Sequence, residues 1–306
     1  MLMCESAWTI MISVILVNYN SAKDTIECLK SLSILNDIGQ KIVVVDNHSS
    51  DDSLEVLERA RREFEFTLIK APDNNGFSAG NNIGIEYAKS INSDYFVLLN
   101  NDTVVEHDFL EKLVNGFKAS PNCGITTSRI LYFSNPEKVW YAGGALNMRT
   151  SRTEHFHYNC KDTIEDMKPM RVSFASGCCM CISREVIDEV GMLDEDFFLY
   201  EEDTEFCHRI QKYGFSIWYI PDSVIYHKVS SSTGVGSATS QYYTIRNKYK
   251  MILKCYHGFN LITSFIYSTL QILNRCRKGE LNYKYFEMGI MAFIRGEKGR
   301  TKEELV

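Results

Sequence analysis

The first third of the chain switches between continuous apolar runs and stretches with helical spacing. Residues 12–17 (ISVILV), 41–45 (KIVVV), 66–70 and 95–99 (YFVLL) are short, rich in β-branched residues and mostly apolar, as strands buried on both faces are. Between them, residues 21–35, 50–63 and 78–90 space their apolar side chains as helices do. The second of these opens at SSDDS (49–53), where Ser49 or Ser50 suits a cap and the aspartates suit the positive end of a helix. This alternation predicts a doubly wound parallel sheet, and in such sheets ligands bind at the carboxyl ends of the strands.

Further along, the rhythm is less regular. VWYAGGALNM (139–148) predicts a hairpin and KDTIEDMKPM (161–170) an exposed loop. Residues 173–191 predict a buried strand and a helix closed by Gly191. Residues 197–215 predict an amphipathic helix with carboxylates crowded at its start, and SIWYIPDSVIYH (216–227) two more strands. From Ser240 onward the spacing is helical, with a weakly apolar stretch at 259–273.

Composition narrows the function classes. With 306 residues, 45% hydrophobic and 24% charged, the chain has material for a sizeable core, which excludes a disordered or disulfide-stapled protein. A net charge of −6 argues against a nucleic-acid partner, which needs a basic footprint. The charge is uneven: residues 246–302 hold twelve Lys/Arg against three Glu, a local +9, which leaves −15 for the rest. The ten cysteines are dilute and read as reduced thiols of a cytosolic protein. Cys178 and Cys181 form a CxxC without the further ligands that zinc would need, and are read as buried small hydrophobes. Residues 1–20 show neither a basic leader nor a cleavage site, so no secretory signal is expected, and Met11 suits a start with residues 1–10 as an upstream extension.

The candidate chemistry stands at the predicted strand ends. Asn18-Tyr19-Asn20 follows the first strand, Asp46-Asn47 the second, NNGFSAGNN (74–82) the third and Asn100-Asn101-Asp102 the fourth. Asn and Asp favour turns at any one of these places. Polar side chains at four successive ends are better suited to a ligand. Glycines in the third segment allow close backbone approach, and the helix start after it offers N–H groups to phosphate.

Taken in order, ISVILVNYNS, IVVVDNHSSDDS, NNGFSAGNNIGI, YFVLLNNDT, FFLYEEDTEFCHR and YHKVSSS resemble the family 2 glycosyltransferases, nearest to the bacterial rhamnosyltransferase-like branch, over about residues 11–250. The resemblance implies a GT-A fold: an α/β, Rossmann-like, mostly parallel sheet flanked by helices, with a smaller acceptor-side mixed sheet and a helical C-terminal region. It implies a catalytic domain at 11–240, divided into a nucleotide-sugar half (11–105) and an acceptor and catalytic half (106–240), followed by helices at 241–306. It also implies inverting transfer of a single sugar from a nucleotide sugar, dTDP-rhamnose or a UDP-sugar, to a glycan or lipid-linked glycan of a bacterial surface polysaccharide such as an O-antigen. The processive members' QxxRW motif is absent from the sequence.

Residue by residue, the resemblance makes Asp102 and His227 the ligands of Mn²⁺ or Mg²⁺, although Asn100 stands where the family usually has a first Asp. Asp203 takes the position of the catalytic base, with Glu202 as the alternative. Asp46 is implied to read the base's imide, with Asn18, Asn20, Asn75, Gly76, Gly80, Asn81, Asn100, Asn101 and Arg246 around the nucleotide sugar. Gly177 is implied on the acceptor side, and Lys228 or the serines at 230–232 near phosphate. A nucleotidyltransferase or an inactive sugar-nucleotide-binding or scaffold protein are the rival readings, the second kept alive by Asn100. The basic, weakly apolar tail suggests a cytoplasmic protein docked at the inner face of the membrane, against the alternative of helices packed on the catalytic domain.

Overall fold

The computed structural model describes residues 10–36, 38–163, 168–229, 236–302 and 305. The expectations for the extension at 1–9, for the serines at 230–232 and for part of the loop at 161–170 therefore lie outside the described residues.

The apolar runs become strands and the stretches between them helices: β1 (Ile12–Asn18), α1 (Ala22–Leu32), β2 (Gln40–Asp46), α2 (Ser53–Ala60), β3 (Thr67–Lys70), α3 (Gly76–Ser90) and β4 (Tyr95–Leu99). β3, β2, β1 and β4 lie side by side and all parallel, with Asn18 in register with Asp46. Val14, Ile15 and Leu16 are wholly buried because helices cover both faces, which is why these strands are written as unbroken apolar runs. α3 lies tightly on β1: a Cβ at Gly80 would stand 2.8 Å from Cγ1 of Val17.

The chain continues through β5 (Thr103–Val105), α4 (Phe109–Asn115), β6 (Cys123–Tyr132), β7 (Asn135–Tyr141), β8 (Gly144–Asn147), β9 (Arg152–His155), β10 (Met170–Val172), β11 (Cys179–Ser183), α5 (Arg184–Glu189), α6 (Glu202–Lys212) and β12 (Ser216–His227). β11 joins β4 antiparallel, and β6, β12 and β10 extend the same ten-stranded sheet. β8 and β9 form the small second sheet. α7 (Ala238–Cys255), α8 (Gly258–Arg277) and α9 (Tyr283–Ile294) close the chain. The fold class is the expected α/β sheet flanked by helices, with a small second sheet and C-terminal helices.

Three local expectations change. The hairpin at 139–148 is two strands with different partners, since β7 pairs with β6 and β8 with β9. The two strands expected at 216–227 are one, with an irregularity between Ile220 and Val224 that accommodates Pro221. The helix expected from 197 begins only at Glu202, because Tyr200 and Glu201 take positive φ (69° and 72°). Tertiary contacts hold that turn. Phe197 packs with Met251, Ile252, Cys255 and Tyr256, and the Asn247 amide donates to the carbonyls of Leu199 (2.8 Å) and Tyr200 (3.2 Å).

Candidate active site

A cavity of about 1020 Å³ opens at the carboxyl ends of β1 and β4 and is lined from nearly every part of the chain. Of the residues expected at a site, Gly76, Asn100, Asn101, Asp102, Gly177, Glu202, Asp203 and His227 line it.

Asp102 follows β4 and His227 ends β12; Oδ1 of the first and Nε2 of the second are 3.1 Å apart, and both residues are buried. The antiparallel pairing of β12 with β5 brings them together, since His227 stands opposite Thr103. Trp140 packs edge-on against the His227 ring, with centroids 4.7 Å apart. Two donors each about 2.1 Å from one octahedral ion stand about 3 Å apart, so this pair fits adjacent positions on Mn²⁺ or Mg²⁺. Among the described residues no group of three His, Cys, Asp or Glu side chains is gathered for a metal. The remaining positions would thus fall to water and substrate oxygens, which is how Mg²⁺ is commonly bound.

A second carboxylate group stands at the start of α6. Asp203 accepts hydrogen bonds from the Gly177 amide at Oδ2 (3.1 Å) and from the Thr204 amide at Oδ1 (2.7 Å). Burial pushes its carboxyl above the ordinary carboxylate range, and those two amides pull the other way. Burial, and then repulsion from Asp203, push Glu202 well above that range. Glu201 is also raised by burial, although Lys248 of α7 stands 2.6 Å from it. The site therefore holds three adjacent carboxyls, Glu202 buried and Glu201 and Asp203 partly so, of which Glu201 has a cation beside it.

Several other expected residues serve the wall from behind. Asn18 is fully buried. Its amide donates to Asp46 Oδ1 (2.9 Å) and Ser49 Oγ (3.1 Å), and Thr25 Oγ1 donates to its Oδ1 (2.8 Å). Asp46 spends Oδ1 on Asn18 and on Ser49 Oγ (2.6 Å), and Oδ2 on the Ser49 amide (3.1 Å). Asn20 takes φ 51° and is tied to Ser50. Asn75 precedes α3 and is exposed, while Asn81 donates back to the Phe77 carbonyl (2.9 Å) and Gly80 packs on Val17. Among these side chains, none lines the cavity.

The residues expected near phosphate have partners within the fold. Gly76 permits a close backbone approach, but its partner is Phe198: at φ 93° a Cβ would collide with the Phe198 carbonyl, which accepts the Phe77 amide at 2.8 Å. The Gly76 amide is spent on Asn74 Oδ1 (3.1 Å), so the first N–H groups of α3 serve the fold. Lys228 pairs with Asp24 (2.7 Å) and Glu27. Arg246 is fully buried over the Tyr242 and Tyr243 rings and does not reach the cavity.

Residues to which the sequence assigned no role also line the site. Asn47 does so with a buried Oδ1 that has no partner among the described residues. His155 lies beside Trp140, at 4.9 Å between centroids, and burial lowers its pKa so that it stays neutral near pH 7. Arg300 and Lys302 arrive from beyond α9. Asn47 is marked only by its place at a strand end, and nothing local marks Arg300 and Lys302.

The chain was compared with known proteins. The family described as Glycosyl transferase family 2 matches residues 13–191. The low-salt glycan biosynthesis hexosyltransferase Agl10 of Haloferax volcanii is 29% identical over 250 residues, covering 78% of this chain and 74% of its own. The dTDP-rhamnosyl transferase RfbF of Shigella flexneri is 25% identical over 303 residues, covering 94% and 95%. Among solved structures, the mannosyltransferase PcManGT of Pyrobaculum calidifontis, in complex with GDP-Man and Mn²⁺, superposes with a TM-score of 0.60 at 14% identity over 95% of this chain and 89% of that one. GalNAc-T7 with UDP, GalNAc and Mn²⁺ gives 0.65 at 18% identity over 81% of this chain, which spans only 48% of the GalNAc-T7 chain. At these identities the superpositions speak to the fold alone.

Proposed function

The chain belongs to glycosyl transferase family 2 and has the GT-A fold, and from that premise we propose that it moves a single sugar, with inversion, from a nucleotide sugar to a hydroxyl of a glycan or lipid-linked glycan acceptor in surface polysaccharide synthesis. Our reading of the donor is dTDP-rhamnose, supported by the similarity to RfbF over nearly the whole of both chains, with a UDP-sugar as the alternative.

One observation carries the mechanism: Asp203, held by the Gly177 and Thr204 amides, lines the same cavity as the Asp102–His227 pair. In this reading Asp203 takes the proton of the acceptor hydroxyl as its oxygen bonds to the anomeric carbon. The bond from that carbon to the diphosphate breaks, and its electron pair leaves with the nucleoside diphosphate. Oδ1 of Asp203 accepts from both the amide and the hydroxyl of Thr204, while Oδ2 accepts only from the Gly177 amide and keeps a lone pair, so the proton has a place to go. Burial raises the basicity of the group toward the working pH. Asp102 and His227 would hold Mn²⁺ or Mg²⁺, which when bound supplies positive charge to the departing diphosphate.

We also read the helical tail as facing a membrane that carries the acceptor. On α8, Ser264, Ser268, Ile272 and Cys276 are buried with Leu261 and Phe265 packed beside them, while Phe259 (71% exposed), Ile262, Ile266 and Leu270 (62%) form a second, outward apolar stripe. Exposed Arg277 and Lys278 continue it. Such a stripe, in a segment of charge +9, suits the interface of an anionic bilayer. Among the described residues no helix is long and apolar enough to cross a membrane.

A thermal-shift panel of dTDP-, UDP- and GDP-sugars with Mn²⁺ tests the donor, since a ligand of the folded state raises the melting temperature. Release of the nucleoside diphosphate on addition of acceptor tests the transfer. No shift with any of the three and no release would overturn the reading.

A further inference from the structure

The residues after α9 return across the site and are fastened there. Lys250 Nζ donates to the Glu297 carbonyl (3.0 Å) and the Tyr242 hydroxyl to Glu297 Oε2 (3.3 Å). Lys298 pairs with Asp196 at 3.1 Å, and the Gly299 amide donates to the Asp196 carbonyl at 3.2 Å. The Thr301 amide donates to the Tyr243 hydroxyl at 2.8 Å. Residues 297–301 are thereby pinned to α7 and to the turn before α6, and Arg300 and Lys302 reach the wall of the cavity.

The charge of that wall makes these two side chains conspicuous. The described lining residues include four carboxylates, Asp102, Glu201, Glu202 and Asp203, and their only Lys or Arg are Arg300 and Lys302. A diphosphate entering so acidic a cavity needs cations. Lys228 is engaged by Asp24 and Glu27, Arg246 is sealed under tyrosines, and the first amides of α3 are taken by Asn74 and Phe198.

We propose that residues 297–302 are a strap that delivers Arg300 and Lys302 to a substrate diphosphate. The proposal rests on the glycosyl-transfer reading above. Arg300 brings a planar fork that matches two phosphate oxygens, and Lys302 a compact mobile charge. Two diphosphates meet at such a site, that of the nucleotide donor and one that links a glycan acceptor to lipid. The chemistry is the same for both.

Wild type, the double variant Arg300→Ala/Lys302→Ala and the charge-keeping variant Arg300→Lys/Lys302→Arg are compared by calorimetry, with Mn²⁺, for dTDP, UDP, thymidine and uridine. KM is measured for donor and for a lipid-diphosphate acceptor. Both side chains are exposed, so the variants should melt as the wild type does. For a donor clamp, the double variant weakens the nucleoside diphosphate roughly tenfold to a hundredfold and leaves the nucleoside unchanged. For an acceptor clamp, diphosphate affinity holds and the acceptor KM rises by a similar factor. In either case the charge-keeping variant recovers most of the loss. Unchanged values throughout, or equal weakening of nucleoside and nucleoside diphosphate, would overturn the strap. Wild type that binds no nucleoside diphosphate at all would instead overturn the transfer reading beneath it.

Discussion

Lys248, midway along α7, stands 2.6 Å from Glu201, so that a helix of the C-terminal region supplies the counter-charge to a carboxylate in the cavity wall. Glu201 sits in a left-handed turn immediately before α6, and the adjoining carbonyls of Leu199 and Tyr200 are held by Asn247, one residue before Lys248. One stretch of α7 thus sets both the shape and the charge of the turn that presents Asp203.

Removing the cation should be costly. With both side chains largely buried, Lys248→Met leaves Glu201 uncompensated and is expected to lower stability by about 3 kcal/mol. Adding Glu201→Gln should recover most of it. Chemical denaturation of the single and double variants checks this; a single variant as stable as wild type would show that the pair contributes nothing.

Asp203→Asn is expected to cut turnover by about 10²–10⁴ while leaving nucleoside diphosphate affinity nearly intact. Should Asp203→Asn transfer normally and Glu202→Gln be inactive, the base moves by one residue. The pH profile gives a second measure. Protonation removes the base, so kcat/KM falls as pH falls, and burial places that limb above the ordinary carboxylate value of about 4. The sign for stability is opposite. Glu201, Glu202 and Asp203 bind protons more tightly when folded, so their contribution is present at low pH and lost as pH rises through the raised values.

Asp102→Ala and His227→Ala should each weaken donor binding in Mn²⁺ and make little difference in chelator. One carboxylate and one imidazole should favour Mn²⁺ over Mg²⁺, because imidazole suits the softer ion. Titration of dTDP-sugar with each ion reads this directly. Full activity in excess chelator would remove the metal from the mechanism.

The outward stripe of α8 should bind anionic vesicles at low salt and neutral ones weakly. Ile266→Glu with Leu270→Glu, both at exposed positions, should abolish flotation without changing the melting temperature. Failure of the folded wild type to float at low salt would leave these helices as a packed C-terminal bundle.

Much of the fold was legible because burial on both faces forces β1, β2 and β4 into unbroken apolar runs that no amphipathic helix would show. The ends of those strands then pointed to the region of the cavity. Local sequence could not say which polar side chain there turns outward. Asn18 and Asn100 stand at equivalent ends, yet Asn18 is fully buried behind the wall and Asn100 lines the cavity. The difference lies in the turns that follow and in the partners they meet.

The sequence by itself determined the parallel half-sheet, the family resemblance and the acidic residues that reach the cavity, because strand burial and motif order are properties of short contiguous segments. The tertiary structure alone decided where the positive charge goes. Lys228 and Arg246 resemble phosphate contacts along the chain, but packing commits the first to α1 and the second to a tyrosine-lined interior. Lys248, Arg300 and Lys302 carry no local mark, and become part of the site only because α7 and the segment beyond α9 fold back upon it. Charge acts through space over a few ångströms, while the residues that meet at this cavity come from positions as far apart as Val17 and Leu305.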